Sequence, residues 1–338
     1  MFFIEWCIYF KTMSTSLLKV YLTRVMLPPV LDRLKGLCDL NINPNDRTLT
    51  REELLDAVKD IDVLVPNGPD RIDAEVLEAA PKLKLIANFG VGYNNIDVDA
   101  ATRLGIPVTN TPGVLSEATA DIAWGLLMSV ARRISEGDRM IRGDGWKGWG
   151  PLQLLGSDVT GATLGLIGLG SIGKAMIPRA KGFSMKIIYW NRTRLDPADE
   201  KELGIEYVSK DALLSSADFV SLHVSLVPET RHLISEPELR LMKPSAFLIN
   251  TTRGPVVDEK ALVAALESGT IAGAGLDVFE NEPAVEPGLM HLENVAMAPH
   301  LGSATVGTRI KMGMLVVDNC EALFTEKPYP DIVNAEVL

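Results

Sequence analysis

The apolar run Ala162–Ile167 opens into Gly168-Leu169-Gly170-Ser171-Ile172-Gly173, a stretch of helical character follows, and a second apolar run, Lys186–Trp190, comes after it. A strand that turns through three glycines into a helix and returns as a strand is a βαβ unit, and it commits the surrounding chain to a parallel sheet covered by helices. The same turn aims backbone N–H groups and the positive end of a helix dipole at one point, which suits a pyrophosphate. Gly168, Leu169, Gly170, Ser171 and Ile172 are therefore candidate dinucleotide contacts. An acid at the end of the second strand would grip a free ribose 2′-hydroxyl. This chain has Asn191-Arg192-Thr193 there, three side chains able to donate to a 2′-phosphate. That predicts NADPH as the cofactor, with NADH as the alternative.

The alternation extends well beyond this unit. Val20–Leu22, Ile61–Val65, Leu83–Phe89 and Pro107–Val108 read as strands, separated by helical stretches such as Arg51–Val58 and Ala74–Ala79. A long, nearly all-apolar helix is predicted over Ser116–Ile134, with Ser116 as its cap. A second series has strands near 162–167, 186–190, 206–208, 219–222, 246–250, 272–276 and 295–298, and Thr305–Thr325 reads as a closing amphipathic helix. At 338 residues the chain exceeds what one hydrophobic core usually serves, so two domains are expected. The fold class is α/β, with two doubly wound parallel sheets.

A net charge of −11 argues against nucleic acid or an anionic membrane as partner, and it means that a small anionic substrate must be held by local cations. The cysteines Cys7, Cys38 and Cys320 form neither a disulfide framework nor a metal-ligand spacing, so no metal is expected and a reducing cytoplasm is. The opening MFFIEWCIYFKT is apolar but short, contains Glu5 and has no basic flank, so it fits neither signal peptide nor membrane span. Met13 is read as the natural start, and residues 1–12 as a peripheral extension.

Three polar stretches follow predicted strands of the second series: Asn250–Gly254, Asp277–Pro283 and Pro299–Thr305. Carboxyl ends of parallel strands are where side chains converge on a ligand. Reducing a 2-keto acid needs a cation for the carboxylate, a proton donor for the developing alkoxide, and a group that keeps that donor charged. Arg253 offers a bidentate fork, His300 exchanges a proton near neutrality, and Glu282 placed beside it would favour the imidazolium. Taken singly, each residue type is commonplace: an arginine in an ion pair, a solvated glutamate, a histidine in a loop. Their joint placement after a nucleotide loop makes them the candidate catalytic set. His223 ends a strand and is a candidate contact to the cofactor ribose, whereas His232 and His291 read as surface residues.

These motifs, with the run Leu222–Thr230, resemble the D-isomer-specific 2-hydroxyacid dehydrogenases from about Leu18 to Val333, and within them the glyoxylate and hydroxypyruvate reductases. The resemblance implies a flavodoxin-like substrate domain from 13–112 and 305–338, a Rossmann cofactor domain inserted at 113–304, and a homodimer built on the cofactor domains. It places Arg253, Glu282 and His300 on the substrate arginine, the carboxylate partner and the acid/base histidine. Asp277 falls on the residue facing the nicotinamide carboxamide, and Thr119 on a cofactor contact of the long helix. Val224, Ser225, Thr230, Thr251, Thr252 and Gly302 fall within the cofactor motifs, together with Arg253 and His300. Val91 and Gly92 match the loop whose N–H groups hold the substrate carboxylate, alongside Arg253 and His300, and Trp149 matches an arm residue that reaches the neighbouring subunit. Many members have proline at Ser225, most NAD-using members have an acid at Asn191, and formate-dehydrogenase-like members have Gln at Glu282. The reading that emerges is an NADPH-linked reductase of glyoxylate or hydroxypyruvate. The alternatives are an NAD-linked dehydrogenase of a larger D-2-hydroxy acid and a non-catalytic corepressor that senses NAD(H).

Overall fold

The computed structural model describes residues 17–338, so the proposed extension 1–12 and the start at Met13 lie outside the described residues. Two compact units form, one holding the chain up to Pro112 and again Arg309–Leu338, the other Gly113–Thr308. Each contains one wholly parallel sheet, the α/β architecture expected from the alternation.

In the first unit, β1 (Lys19–Leu22), β2 (Asp39–Ile42), β3 (Val63–Val65), β4 (Leu85–Ala87) and β5 (Val108–Thr109) are arranged β2-β1-β3-β4-β5. That is the flavodoxin-like order. Val20, Leu22, Val63, Val65, Leu85 and Ala87 are buried under Val30 and Leu34 on one side of the sequence and Val316, Val317 and Cys320 of the helix Val306–Phe324 on the other. The helix Arg51–Ala57 starts where Thr50 takes the Glu53 N–H and Glu53 reaches back, a reciprocal cap. Asp73 and Asp97 cap Ala74–Glu78 and Val98–Arg103 without that reciprocity, each accepting one backbone N–H on a side-chain oxygen. The strands are shorter than the apolar runs that announce them: Leu83–Phe89 narrows to β4 and Pro107–Val108 shifts to β5. β2 had no such announcement. It is an edge strand, partly exposed along its whole length, and it carries only two apolar residues.

In the second unit, β6 (Thr163–Ile167), β7 (Lys186–Trp190), β8 (Glu206–Tyr207), β9 (Phe219–Leu222), β10 (Phe247–Asn250), β11 (Gly273–Leu276) and β12 (Val295–Met297) run β12-β11-β10-β9-β6-β7-β8. The order reverses between β6 and β9, and ligands of such sheets bind beyond the strand ends at that reversal. The predicted helix Ser116–Ile134 is in fact two. Ser116–Ala131 is followed by Arg133 at φ 55°, and a new helix runs Ile134–Arg142. Burial accounts for the break, since Leu126, Leu127, Val130 and Ala131 pack on the sheet whereas Ile134 is 55% exposed. Ser116 is not its cap; Leu115 occupies that position, with no side-chain hydrogen bond to the first turn. Among the described residues no helix is long and apolar enough to cross a membrane, and no cluster of His, Cys, Asp or Glu could hold a metal.

Candidate active site

The helix Ser171–Gly182 begins at Gly170 with no side-chain cap and no acid in its first turn, which leaves its N-terminal N–H groups unclaimed by side chains. The three glycines of the loop have different causes. Gly168 sits at φ 92°, and a Cβ there would lie 2.7 Å from the His223 carbonyl carbon. A Cβ on Gly173 would run into the Gly168 carbonyl oxygen. At Gly170, by contrast, a Cβ would meet nothing within 4 Å, so the protein's own packing does not demand a glycine there. The open space in front of the uncapped helix fits the close approach of a pyrophosphate. Ser171 and Gly170 are exposed beside it, Ile172 is half-buried, and Leu169 is buried.

At the end of β7, Asn191 is tied to the loop itself: its Oδ1 accepts from the Leu169 N–H at 3.4 Å, and its Nδ2 donates to the Thr193 carbonyl at 2.9 Å. Arg192 and Thr193 are exposed. The next arginine, Arg194, is already engaged, bonded to Glu200 and stacked over Tyr207, and its hydrogen bonds hold the Glu200 carboxyl down at about 2. Arg192 has no such carboxylate partner among the described residues, which leaves its guanidinium for a ligand.

His223 follows β9 and lies against the glycine loop, its backbone beside Gly168 and its Nε2 2.9 Å from the Ser221 hydroxyl. Burial depresses its pKa to about 3, so the ring is neutral. Its Nδ1 and the hydroxyl of Thr251, beyond β10, are buried with no hydrogen-bond partner among the described residues. Two orphaned polar atoms at the ends of the adjacent strands β9 and β10 also suit a polar ligand there. Val224 packs beside Gly168, Thr252 donates its hydroxyl to Asn250 Oδ1 at 2.7 Å, and the Thr230 hydroxyl donates to the Ser225 carbonyl at 2.7 Å. Thr119, Asp277 and Gly302 come together, since a Cβ on Gly302 would sit 3.2–3.4 Å from the other two side chains.

The three predicted catalytic residues lie on loops after neighbouring strands. His300 follows β12 at φ 56°, with its N–H on the Asp277 carbonyl at 2.9 Å. Its Nδ1 stands 2.8 Å from Glu282 Oε2, and the side chain is 46% exposed. A carboxylate can only accept, so Nδ1 donates to it, and Nε2, bonded to no described residue, is the ring nitrogen left to exchange a proton. Glu282 Oε1 accepts the Phe279 N–H at 3.0 Å, which fixes the carboxylate's rotation. Burial pushes the Glu282 carboxyl up, but the His300 bond and charge, the Phe279 N–H and the Arg253 charge outweigh it and hold the group below the ordinary carboxylate value. Arg253, after β10, donates from Nη1 to the Thr252 carbonyl at 2.7 Å; burial lowers its pKa against the opposing charge of Glu282. Asp277 is 1% exposed and accepts from the Leu301 and Gly302 N–H groups at 2.6 and 2.8 Å. Burial nonetheless leaves its carboxyl raised.

Val91 and Gly92 belong to the first unit, on the loop after β4. The Asn88 Nδ2 donates to the carbonyls of Gly90 and Gly92 at 3.1 and 3.0 Å, and Asn110 Nδ2 to that of Val91 at 2.9 Å. With the carbonyls drawn onto these side chains, the N–H groups of Val91 and Gly92 donate to no described residue. Asn88 and Asn110 went unremarked in the sequence, although a polar residue directly after an apolar strand was the signal to follow. The His232 side chain is 36% exposed, and its Nε2 lies 2.6 Å from Glu280 Oε1. His291 is exposed, and Trp149 is 84% exposed on an arm rich in apolar side chains.

Residues 124–302 match the D-isomer specific 2-hydroxyacid dehydrogenase NAD binding domain. A glyoxylate reductase of Thermococcus litoralis is 50% identical over 324 residues, spanning 95% of this chain and 98% of that protein. Among solved structures, a glyoxylate reductase from Paecilomyes thermophila superposes with a TM-score of 0.83 at 37% identity, covering 95% of this chain and 99% of that one. An NADPH-dependent glyoxylate/hydroxypyruvate reductase from Sinorhizobium meliloti, in complex with NADP and malonate, gives 0.83 at 36% identity over 95% and 98%. A strand–glycine–helix nucleotide loop, strand-end Arg, Glu and His side chains, and likeness along nearly the whole length lead to one placement: the chain belongs to the D-isomer-specific 2-hydroxyacid dehydrogenases, NAD(P)-dependent oxidoreductases.

Proposed function

We propose that this enzyme reduces glyoxylate and hydroxypyruvate to glycolate and D-glycerate, with NADPH as the preferred cofactor. The observation that carries the reading is the 2.8 Å contact of His300 Nδ1 with Glu282 Oε2, which leaves Nε2 as the nitrogen to act as acid, on a loop at the same carboxyl end of the sheet as the loop of Arg253. The glyoxylate reductases at about half identity support the substrate class. The glycine loop, Asn191, Arg192, Thr193 and the loops carrying His223, Val224, Thr251, Asp277 and Gly302 would hold the dinucleotide, with Thr119 behind them. When bound, its reduced nicotinamide supplies the hydride that the carbonyl carbon receives. Arg253 binds the substrate carboxylate by a bidentate pair. His300 gives its Nε2 proton to the carbonyl oxygen as negative charge develops there, and Glu282 steadies the imidazolium from Nδ1. The neutral His223 adds no charge beside the cofactor.

Arg192 carries the cofactor preference. A steady-state panel of glyoxylate, hydroxypyruvate, pyruvate and a branched keto acid, each with NADPH and NADH, tests both halves of the proposal. The two small substrates with NADPH should give the highest kcat/KM. Tight cofactor binding without turnover on any of the four would instead identify a sensing module. Arg192→Glu should raise the KM for NADPH by about tenfold to a hundredfold, the scale of one or two charge-assisted hydrogen bonds, and change that for NADH little. Equal effects on both cofactors would remove Arg192 from the recognition of a 2′-phosphate.

The enzyme acts in the cytoplasm as a homodimer in this reading. Ile134, Ile141, Trp146, Trp149, Leu152 and Leu155 are all more than half exposed on one stretch of the second unit. Apolar side chains so concentrated mark a protein interface, here with a second copy of the chain.

A further inference from the structure

We propose that His232 is a positioning residue, which pins the loop bearing Glu282 to the loop bearing Arg253 so that both side chains stand correctly about His300. The proposal rests on the catalytic reading given above. Three segments meet at His232. Its own N–H donates to the Pro255 carbonyl at 2.8 Å, two residues beyond Arg253. Its Nε2 holds Glu280 Oε1 at 2.6 Å, two residues before Glu282. The residue sits at φ 51°, a conformation that a non-glycine residue keeps only where its surroundings fix it.

The two loops are otherwise pressed together with no slack. At Gly254 a Cβ would coincide with the backbone of Phe279 and Glu280, so the chains touch main chain to main chain. From there the Phe279 N–H reaches Glu282 Oε1 at 3.0 Å, and Glu282 Oε2 reaches His300. The electrostatics explain why a hydrogen-bond donor to Glu280 is wanted at this junction. The Glu280 N–H donates to Glu259 Oε1 at 2.8 Å, and the Glu259 carboxylate feels the negative charges of Glu280 and Glu286. Glu259 is 4% exposed, and burial together with the charges of Glu280 and Glu286 raises its carboxyl. Like charges so placed push the 279–283 loop outward unless something draws Glu280 back. His232 does so by direct contact and Arg231 from 3.8 Å, while Asp258 faces the other ring nitrogen at 4.0 Å. Among the described residues, Glu280 and Asp258 are the charged side chains within 4.0 Å of the His232 ring nitrogens.

The test compares wild type, His232→Ala and His232→Gln, because the glutamine amide can place a donor where Nε2 stands. In the alanine variant kcat for glyoxylate should fall about tenfold, a magnitude typical of catalytic groups displaced by a fraction of an ångström. The NADPH dissociation constant, read by protein fluorescence, should stay within about twofold, and glutamine should restore most of the lost kcat. The chain has only four histidines, so the His300 imidazole signal can be assigned by proton NMR from its loss in His300→Ala. That signal should move in His232→Ala and return in His232→Gln. An unmoved His300 signal with unchanged kcat overturns the proposal, as does equal loss in both variants alongside a lowered melting temperature. Should wild type turn over no 2-keto acid, the functional reading fails while the NMR comparison still decides the positioning role.

Discussion

Replacing His300 with alanine should lower kcat for glyoxylate by about 10²–10⁴ and leave NADPH affinity within about twofold. On the barrier that is about 3–5 kcal/mol, the usual value of a positioned general acid. The expectation follows from how the ring is held. Nδ1 is spent on Glu282 at 2.8 Å, so the ring's only free function is the Nε2 proton, and nearly half of the side chain is open to solvent rather than packed in the core. Alanine therefore removes an acid without removing much packing. A variant that loses NADPH binding together with turnover would show a histidine that builds the loop instead. The partner carboxylate sets the pH range. Because the folded Glu282 carboxyl lies below its ordinary value, near 4.3 in an unfolded chain, the stability contributed by the pair is whole above that value and is lost as pH falls through the lower, folded one. Glu282 thus stays ionised across the neutral range, where His300 has to cycle its proton.

The strands of the second unit were legible because a parallel sheet buried on both faces writes itself as short, continuous apolar runs, and β6, β7, β9 and β10 lie within a residue of those runs. Gly168, Gly170 and Gly173 were legible as a motif, yet only the structure separates the two that packing requires from the one that it does not. What stayed hidden was hidden for physical reasons. β2 lies at a sheet edge and lacks an apolar run, and the break at Arg133 falls where burial ends rather than where helix propensity changes. His232 and Glu280 are 48 residues apart, and what brings them together is the neighbouring order of β9, β10 and β11, which local spacing does not encode. The same order puts Glu282 and His300 on loops after adjacent strands, and there the sequence reading needed only that β11 and β12 be neighbours.

Arg253→Ala should raise the KM for glyoxylate by about 10²–10³, and Arg253→Lys should recover only part of the loss. Two charge-assisted hydrogen bonds to one carboxylate are worth about 3–5 kcal/mol together. Lysine keeps the charge but not the planar fork that meets both oxygens. The part-buried guanidinium already shows the cost of desolvation, for burial lowers its pKa while Glu282 opposes the shift. An arriving carboxylate compensates a cation that has left much of its hydration behind, so the pair is stronger than one on an open surface. Substrate size should grade the effect. Glyoxylate has little beyond its carboxylate and its carbonyl, whereas a branched keto acid adds apolar contacts that survive the substitution, so the alanine variant should lose discrimination against the larger acid. kcat should fall as well, because the Arg253 charge helps to keep Glu282 ionised. A KM for glyoxylate unchanged in Arg253→Ala would mean that the substrate's carboxylate is held elsewhere, and the proposed geometry of reduction would have to be abandoned with it.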